Sequence, residues 1–345
     1  MLRALICGAT GYTGIELVRI LSSHPDVTVT RGSSLELPNH KMSQVLSFIG
    51  GENDFSLLTL EEVLDNPDAD VAFLALPHGA SALAARHLLE AGLKVIDLSA
   101  DCRLQDPNVY AEWYGDHKAP ELLARAVYGL PETKRESIRG ADLVANPGCY
   151  PTTVILGVAP LLKVDSVDTS CPISDSKSGV SGAGRGGKLT TSFCEAGGGC
   201  KPYGVISHRH IPEMEQELSS LGGSPVKVRF TPHLIPASRG MVSTIYLPLR
   251  KETTAAQLQR VYEDRYASEP FVRVLPHGIF PDTAQVRGSN QCHISVEVDQ
   301  RTGWVVVMVA IDNLVKGASG AAVQNMNLML DIPETVGLSS LPVFP

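Results

Sequence analysis

What this sequence has little of narrows the field first. Basic residues are in short supply, 29 against 37 acidic, giving a formal net charge of −8. No run of like charges offsets that balance, which excludes nucleic acid or an anionic membrane as the main partner. Any anion this chain holds must be gripped by local donors. Long hydrophobic runs are missing too: 154–164 is interrupted by Pro160, and Trp304–Ile311 is too short to span a bilayer. The 7 cysteines are odd in number and scattered, so they make no disulfide framework and suit a reducing, cytoplasmic setting. A signal peptide is not expected, because the first residues run directly into a glycine motif at Gly8. There is no internal repeat and no low-complexity tail.

What is present is a chain of 345 residues, 43% hydrophobic, which is long enough for two domains with sizeable cores. Residues 2–6 read as a short apolar strand. Gly8, Ala9, Thr10, Gly11, Tyr12, Thr13 and Gly14 follow, and Ile15, Leu17, Val18 and Leu21 then mark an amphipathic helix. Strand, glycine turn and helix are the context of a dinucleotide site, in which the backbone approaches a pyrophosphate and the helix N-terminus stabilises its charge. The next strand ends in Arg31, Gly32, Ser33 and Ser34, with no acidic residue for a ribose 2′-hydroxyl, which favours NADP over NAD. Two further buried strands, 70–76 and 93–97, deliver Pro77, His78 and Gly79, and then Ser99, Asp101 and Arg103, to the carboxyl edge of a parallel sheet.

Another apolar strand, 142–145, ends in Asn146, Pro147, Gly148 and Cys149, with Pro151 suited to the first turn of a helix. Cys149 is therefore expected at a helix N-terminus, where unpaired N–H groups favour thiolate over thiol. Beyond it the texture changes to strands with alternating polar and apolar residues, at 167–174, 226–231, 241–249, 271–275, 291–298 and 304–311. Helices are expected at 211–221 and 254–266, and the simplest architecture is an antiparallel sheet with helices on one side. The segment 175–188 is expected to be a glycine-rich loop able to wrap an anion, offering Ser176, Lys177, Ser178, Gly179, Ser181 and Gly182. His208 and His210, with Tyr203 upstream, stand before a helix. They could serve a cysteine or bind a metal, but Cys194 and Cys200 have no metal-ligand spacing, so no metal is expected. A cysteine with a histidine partner and a nicotinamide cofactor implies thiolate attack on an activated acyl group, then hydride reduction of the thioester.

At these residues the sequence resembles the N-acetyl-γ-glutamyl-phosphate reductases of arginine biosynthesis, a family similar to the aspartate-semialdehyde and glyceraldehyde-3-phosphate dehydrogenases. The resemblance rests, in order along the chain, on 8–14, 76–79, 97–101, 146–152, 178–185, 208–213 and 313–325, and it is loosest at 31–34 and 35–60. It implies an α/β fold: an N-terminal Rossmann-type doubly wound sheet, and a second α+β domain with a mainly antiparallel sheet. It also implies an NADP-binding domain of 1–148 plus 313–345, and a catalytic, substrate and oligomerisation domain of 149–312. Cys149 would be the nucleophile, with His208 preferred to His210 as the acid/base group. Arg103 would bind a substrate carboxylate, and Ser176, Lys177 and the following glycines would face the acyl phosphate or the cofactor phosphates. Asn313 would lie near the nicotinamide, and Asn146 and Tyr203 complete the substrate set. The expected reaction converts N-acetyl-glutamyl 5-phosphate and NADPH to the semialdehyde and phosphate, in a homodimer or homotetramer. Rival readings are an aminoadipyl- or aspartyl-phosphate reductase, an inactive NADP-binding regulator, and a cofactor-independent Cys-His hydrolase.

Overall fold

The computed structural model describes residues 1–187 and 189–344, so Lys188, at the end of the expected anion-binding loop, lies outside the described residues. The chain divides into two compact units. The first is Met1–Pro147 with Ala318–Ser339, and the second is Gly148–Gly317 with the residues from Ser340 on. The expectation gave all of 313–345 to the first domain, whereas 313–317 and the C-terminal tail group with the second. Hydrogen bonds account for the difference: the Gly240 N–H donates to Asn313 Oδ1 at 2.8 Å, and the Val343 N–H donates to the Arg287 carbonyl at 2.8 Å.

In the first unit, β1 (Leu2–Cys7), β2 (Val27–Ser33), β3 (Leu57–Leu58), β4 (Val71–Leu74), β5 (Lys94–Asp97), β6 (Val127–Tyr128) and β7 (Leu143–Ala145) form one sheet. Its order is β3-β2-β1-β4-β5-β7-β6, and every pair is parallel. The connecting helices are α1 (Tyr12–Leu21), α2 (Met42–Val45), α3 (Leu60–Asp65), α4 (Ser81–Glu90), α5 (Pro107–Tyr114) and α6 (Pro131–Arg139). All four residues of β4 are fully buried, as a strand covered on both faces requires. The strand order reverses between β1 and β4, the place where open parallel sheets bind ligands. There Gly8 has φ +88°, and a Cβ on it would lie 2.4 Å from the Ala75 carbonyl oxygen; a Cβ on Gly14 would lie 2.2 Å from the Gly8 oxygen. Only glycine lets the turn after β1 press against the end of β4 and lets α1 start so close to it.

The second unit contains β8 (Ile173–Gly179), β9 (Lys201–Pro202), β10 (Arg229–Ile235), β11 (Met241–Pro248), β12 (Val272–Val274), β13 (Cys292–Asp299) and β14 (Trp304–Ile311). Their order is β12-β13-β14-β11-β8-β10-β9. The pairs β8/β10 and β12/β13 are parallel and the others antiparallel. Its helices are α7 (Cys149–Val158), α8 (Phe193–Ala196), α9 (Ile211–Gly222) and α10 (Ala255–Tyr266), and α11 (Gly320–Met329) returns to the first unit. On β11 and β14, Ile245, Leu247, Val305, Val307 and Val309 are buried, and α7 packs on this face so tightly that a Cβ on Gly157 would stand 2.7 Å from Ile245 Cδ1. The alternate residues Val242, Thr244, Val306 and Met308 stay only half-buried, and Tyr246 is exposed.

The expected loop at 175–188 begins instead as strand β8. Its serines hid it from a reading based on apolar residues. Ser174 and Ser176 are fully buried, and a hydroxyl ladder satisfies them: Ser174 to Ser176 at 3.1 Å, Ser176 to Ser243 at 2.7 Å, and Ser243 to Thr153 of α7 at 2.7 Å. The strand at 226–231 likewise runs later, as β10.

Gly14→Ala should destabilise the protein by about 1–3 kcal/mol, the usual cost of overpacking. In contrast, Gly11→Ala, whose Cβ would meet the Gly8 oxygen at an ordinary 3.6 Å, should change stability little. Thermal melts of the two variants beside the parent check this, and equal melting temperatures would refute the packing argument.

Candidate active site

Two sets of residues carry chemistry, one in each unit. In the second, Cys149 is the first residue of α7, with Gly148 as N-cap and no acidic side chain in the first turn. The helix start therefore presents its positive end without an internal counter-charge. The Gly148 N–H donates to Glu213 Oε1 at 2.8 Å. Glu213 is buried in the first turn of α9, so one carboxylate fixes where the cysteine's helix begins. Gly317 closes the other side, since a Cβ there would lie 2.8 Å from Cys149 Cβ. The sequence reading quoted Glu213 and Gly317 within motifs but assigned neither to the site. Their only advance signal was position, beside His210 and after Asn313.

Around α7 lies a cluster of rings. Tyr150 meets His208 at 5.5 Å, His210 at 6.0 Å and Phe230 at 5.0 Å between centroids, and His208 also meets Tyr203 at 5.5 Å and His210 at 4.8 Å. The Tyr203 hydroxyl donates to that of Tyr150 at 3.1 Å. Burial pushes the Tyr203 phenol up to about 12, with the nearby Cys149 adding to the shift against the Tyr150 hydrogen bond, so Tyr203 is a neutral donor at neutral pH. Tyr150 is driven higher still, first by burial and then by Tyr203 and Cys149. His208 Nδ1 accepts the His210 backbone N–H at 3.1 Å, which leaves Nε2 as the protonated nitrogen of a neutral ring. Burial lowers the His208 pKa to about 4.

Asn313 Nδ2 donates to Ser181 Oγ at 3.0 Å, so these two expected cofactor residues are brought together. Gly182 lies beside them, where an added Cβ would be 3.2 Å from Ser178 Oγ. Gly179 packs against the 237–239 backbone, with its would-be Cβ 2.8 Å from the Ala237 oxygen. Ser176 and Lys177 depart from expectation. As neighbours on a strand they point to opposite faces: Ser176 is consumed in the hydroxyl ladder, while Lys177 Nζ lies 3.0 Å from Asp175 Oδ1.

In the first unit, α1 starts at Tyr12 with Gly11 as N-cap, no side-chain cap and no acid in its first turn. The start of α4 is different. Asp101 accepts from the N–H groups of Gly79 at 2.9 Å and Ala82 at 3.0 Å, and from the Tyr110 hydroxyl at 3.0 Å. Pro77, His78 and Gly79 are exposed, with His78 Nδ1 accepting the Ala100 N–H at 3.1 Å. Of the helix starts after β1 and β4, α1's is thus open to an anion and α4's is closed by a carboxylate.

Several residues expected to bind ligands also make contacts within the fold. The Ser99 hydroxyl donates to buried Asp97 at 2.9 Å, and burial raises the Asp97 pKa against its bonds to Ser81 and Ser99. Buried Arg103 donates to the carbonyls of Asn146 at 2.8 Å and Leu98 at 2.9 Å. Asn146 is itself pinned, donating to Ala318 O at 3.1 Å and accepting from Asn325 at 3.1 Å. Arg31 reaches the Asn66 carbonyl at 2.7 Å and lies 3.8 Å from Asp68. Ser33 Oγ accepts the Gly8 N–H at 3.0 Å, and Ser34 pairs with Thr10 at 2.9 Å. Among the described residues no group of three His, Cys, Asp or Glu could hold a metal, and no helix is long and apolar enough to cross a membrane.

Comparison with known proteins bears directly on this arrangement. Residues 3–141 match the semialdehyde dehydrogenase NAD binding domain, and 149–313 match the semialdehyde dehydrogenase dimerisation domain. The chain is 54% identical over 346 residues to an N-acetyl-gamma-glutamyl-phosphate reductase of Geobacter sp. (strain M21), with both chains covered in full. It is also 54% identical to one from Moorella thermoacetica, covering 98% of each. The chain belongs to the N-acetyl-gamma-glutamyl-phosphate reductase family. Its fold is that of solved aspartate semialdehyde dehydrogenases. One is the Vibrio cholerae enzyme II complexed with ASA, at TM-score 0.73 and 19% identity over 96% of this chain and 98% of that one. Another is the Candida albicans enzyme with NADP, at TM-score 0.70 and 16% identity over 97% and 99%. In this reductase family member, then, the residues that match the NAD binding domain include the open helix start, and those that match the dimerisation domain begin at Cys149.

The His208 pKa carries a pH prediction. A histidine whose folded pKa lies below its unfolded value stabilises the fold fully above about 6.5 and loses that contribution as pH falls toward its folded value. At about 1.4 kcal/mol per unit the loss is on the order of 3 kcal/mol. Denaturant midpoints at pH 7 and 4.5 should therefore fall further apart for the parent than for His208→Gln. Identical differences would show that His208 is not held neutral.

Proposed function

We propose that this protein reduces N-acetyl-L-glutamyl 5-phosphate to N-acetyl-L-glutamate 5-semialdehyde and phosphate, using NADPH and a thioester on Cys149, within cytoplasmic arginine biosynthesis. The observation that carries the reading is the placing of Cys149. It is the first residue of an acid-free helix start fixed by Glu213, and the next residue, Tyr150, packs on both histidines and accepts the Tyr203 hydroxyl, in a chain whose full-length relatives bear that enzyme's name.

The residues present fit a dinucleotide. Gly11 and the open start of α1 suit its diphosphate, because among the described residues beyond its chain neighbours a Gly11 side-chain position would meet only the Gly8 oxygen, at an ordinary 3.6 Å. Ala9, Tyr12, Thr13 and the exposed Pro77-His78-Gly79 turn border that place along the chain. Arg31 is held by Asn66, so Thr10 and Ser34 remain the polar candidates at the end of β2 for a 2′-phosphate. When bound, the nicotinamide supplies the hydride that brings the thioester to the aldehyde level.

Cys149 Sγ attacks the acyl carbon, the C–O bond to phosphate breaks, and a thioester remains. The positive end of the α7 dipole favours negative charge developing there. For the acid/base role we assign His210 rather than the His208 favoured on sequence. With a pKa near 4 and Nδ1 occupied by a backbone N–H, His208 is neutral at working pH and cannot deliver a proton as an imidazolium. Its part is to hold the 208–210 turn against Tyr150. To Asn313, Ser181, Ser178 and Gly182, which lie together in the second unit, we assign contacts with the nicotinamide and acyl phosphate.

The decisive experiment is the reverse reaction, in which semialdehyde and NADP should yield NADPH only when phosphate is supplied. Cys149→Ser should lose at least about a thousandfold of turnover, the scale of losing an activated nucleophile, while still binding NADPH by fluorescence titration. Turnover without phosphate, or normal activity in Cys149→Ser, would defeat the proposal. Running aspartyl- and aminoadipyl-derived semialdehydes in parallel should give lower kcat/KM.

The half-open face of the second sheet supports a homodimer. Val242, Thr244, Tyr246, Val306 and Met308 make a largely apolar face that stays half-buried or exposed, in the segment matching a dimerisation domain. Val306→Lys should shift the protein toward monomer in light scattering after gel filtration. An unchanged mass would move the interface elsewhere.

A further inference from the structure

The segment leading from the glycine loop to Tyr203 holds two thiols that the proposed chemistry does not use. Cys194 lies in α8 and Cys200 immediately precedes β9, and both are free and exposed. Each end of the stretch between them is tied down. The Gly197 N–H donates to the Phe193 carbonyl at 2.8 Å and that of Ala196 to Ser192 at 2.9 Å, while β9 pairs with β10 through Lys201 and Pro202. Between these anchors stand Gly197, Gly198 and Gly199. Neither Gly198 nor Gly199 has any atom within 4 Å of a side-chain position, so both can change φ and ψ without displacing a packed group.

We propose that Cys194 and Cys200 form a reversible intrachain dithiol/disulfide pair, closed by a low-molecular-weight disulfide such as oxidised glutathione. With only five residues between them, three of them glycine, the chain can turn back to bring the two Cα atoms to the separation of about 4.4–6.8 Å that a disulfide needs. The short tether keeps each thiol at an effective concentration of about millimolar or more for the other. One cysteine loses its proton and attacks the oxidised glutathione; the S–S bond breaks and one glutathione leaves as thiolate. The second cysteine then loses its proton and attacks the mixed disulfide, expelling the second glutathione. Two cysteine thiols are oxidised and one glutathione disulfide is reduced to two glutathiones. Cys7, Cys102 and Cys292 are buried, which leaves exposed Cys171 and half-buried Cys149 as the other thiols that oxidised glutathione can reach. The closed ring would shorten the chain entering β9 and hence Tyr203, whose hydroxyl meets Tyr150.

The test uses the full-length protein, and Cys149→Ser to take the reactive nucleophile out of the analysis. Each is equilibrated over a range of oxidised to reduced glutathione, then alkylated and read by peptide mass spectrometry. The expected result, in both proteins, is a 194–200 peptide lighter by two hydrogens, with both thiols protected from alkylation and recovered by dithiothreitol. Cys200→Ser should instead accumulate glutathione on Cys194. The proposal is overturned if both thiols stay alkylated at ratios that oxidise a control dithiol. Persistent separate glutathione adducts on the two cysteines, or pairing of either with Cys149, would overturn it equally.

Discussion

The hydrogen bond from the Gly148 N–H to the Glu213 carboxylate sets the geometry of the candidate nucleophile. A buried charge-assisted bond of this kind is worth about 1.5–3 kcal/mol, and its position matters more than its strength. It joins the start of α7 to the start of α9, so the helix that presents Cys149 and the turn that presents His208 and His210 are not free to move apart. The hydroxyl ladder from Thr153 through Ser243 to Ser176 ties the same helix to its sheet from beneath. Gly317 then admits the backbone next to Cys149 where any side chain would collide. The cysteine is thus held by backbone and polar contacts on several sides, while its neighbouring tyrosines remain neutral donors.

Much of the first unit was legible from sequence because its signals are local, whereas β3, β6 and the helices α2 and α3 were not anticipated, nor were the bounds of α5 and α6. A strand buried on both faces is a continuous apolar run, and Val71–Leu74 looks like one. Gly14 is required by contacts with residues 8 and 9, and Gly8 by its own positive φ as well as by Ala75 beyond β4, so their pattern survives in a one-dimensional reading. The second sheet was legible where its strands alternate, as at Met241–Pro248 and Trp304–Ile311, whose bounds were anticipated almost to the residue. It failed at β8, because a strand of buried serines resembles a loop until the partner hydroxyls, 67 residues away in the case of Ser243, are known.

Polar residues show the same division. A sequence displays side chains that could bind a ligand, but it does not show which have already been claimed by the fold. Asp101, Ser99, Arg103 and Asn146 all sit at carboxyl edges of strands, where ligands bind, and the structure uses each to cap a helix or pin a turn. Glu213 went the other way. It reads as an ordinary first-turn acid of a helix, and its significance comes from a partner 65 positions earlier.

Helix starts of one chemical type therefore acquire different uses through a single carboxylate. Three that follow parallel strands, those of α4, α1 and α7, show it. At α4, Asp101 takes the free N–H groups and the end becomes structural. At α1, no acid and no side-chain cap intervene, Gly11 leaves the approach open, and the end keeps its attraction for an anion. At α7 the outcome is intermediate: Glu213 takes the Gly148 N–H, outside the helix proper, which fixes the helix start while no acid lies within its first turn. A carboxylate one residue further along would have quenched the positive end that an attacking thiolate needs. One residue earlier, it would have met Pro147, which has no N–H to give. The motif Asn146-Pro147-Gly148-Cys149 therefore restricts the clamp to the Gly148 N–H, and this is the physical content of its spacing.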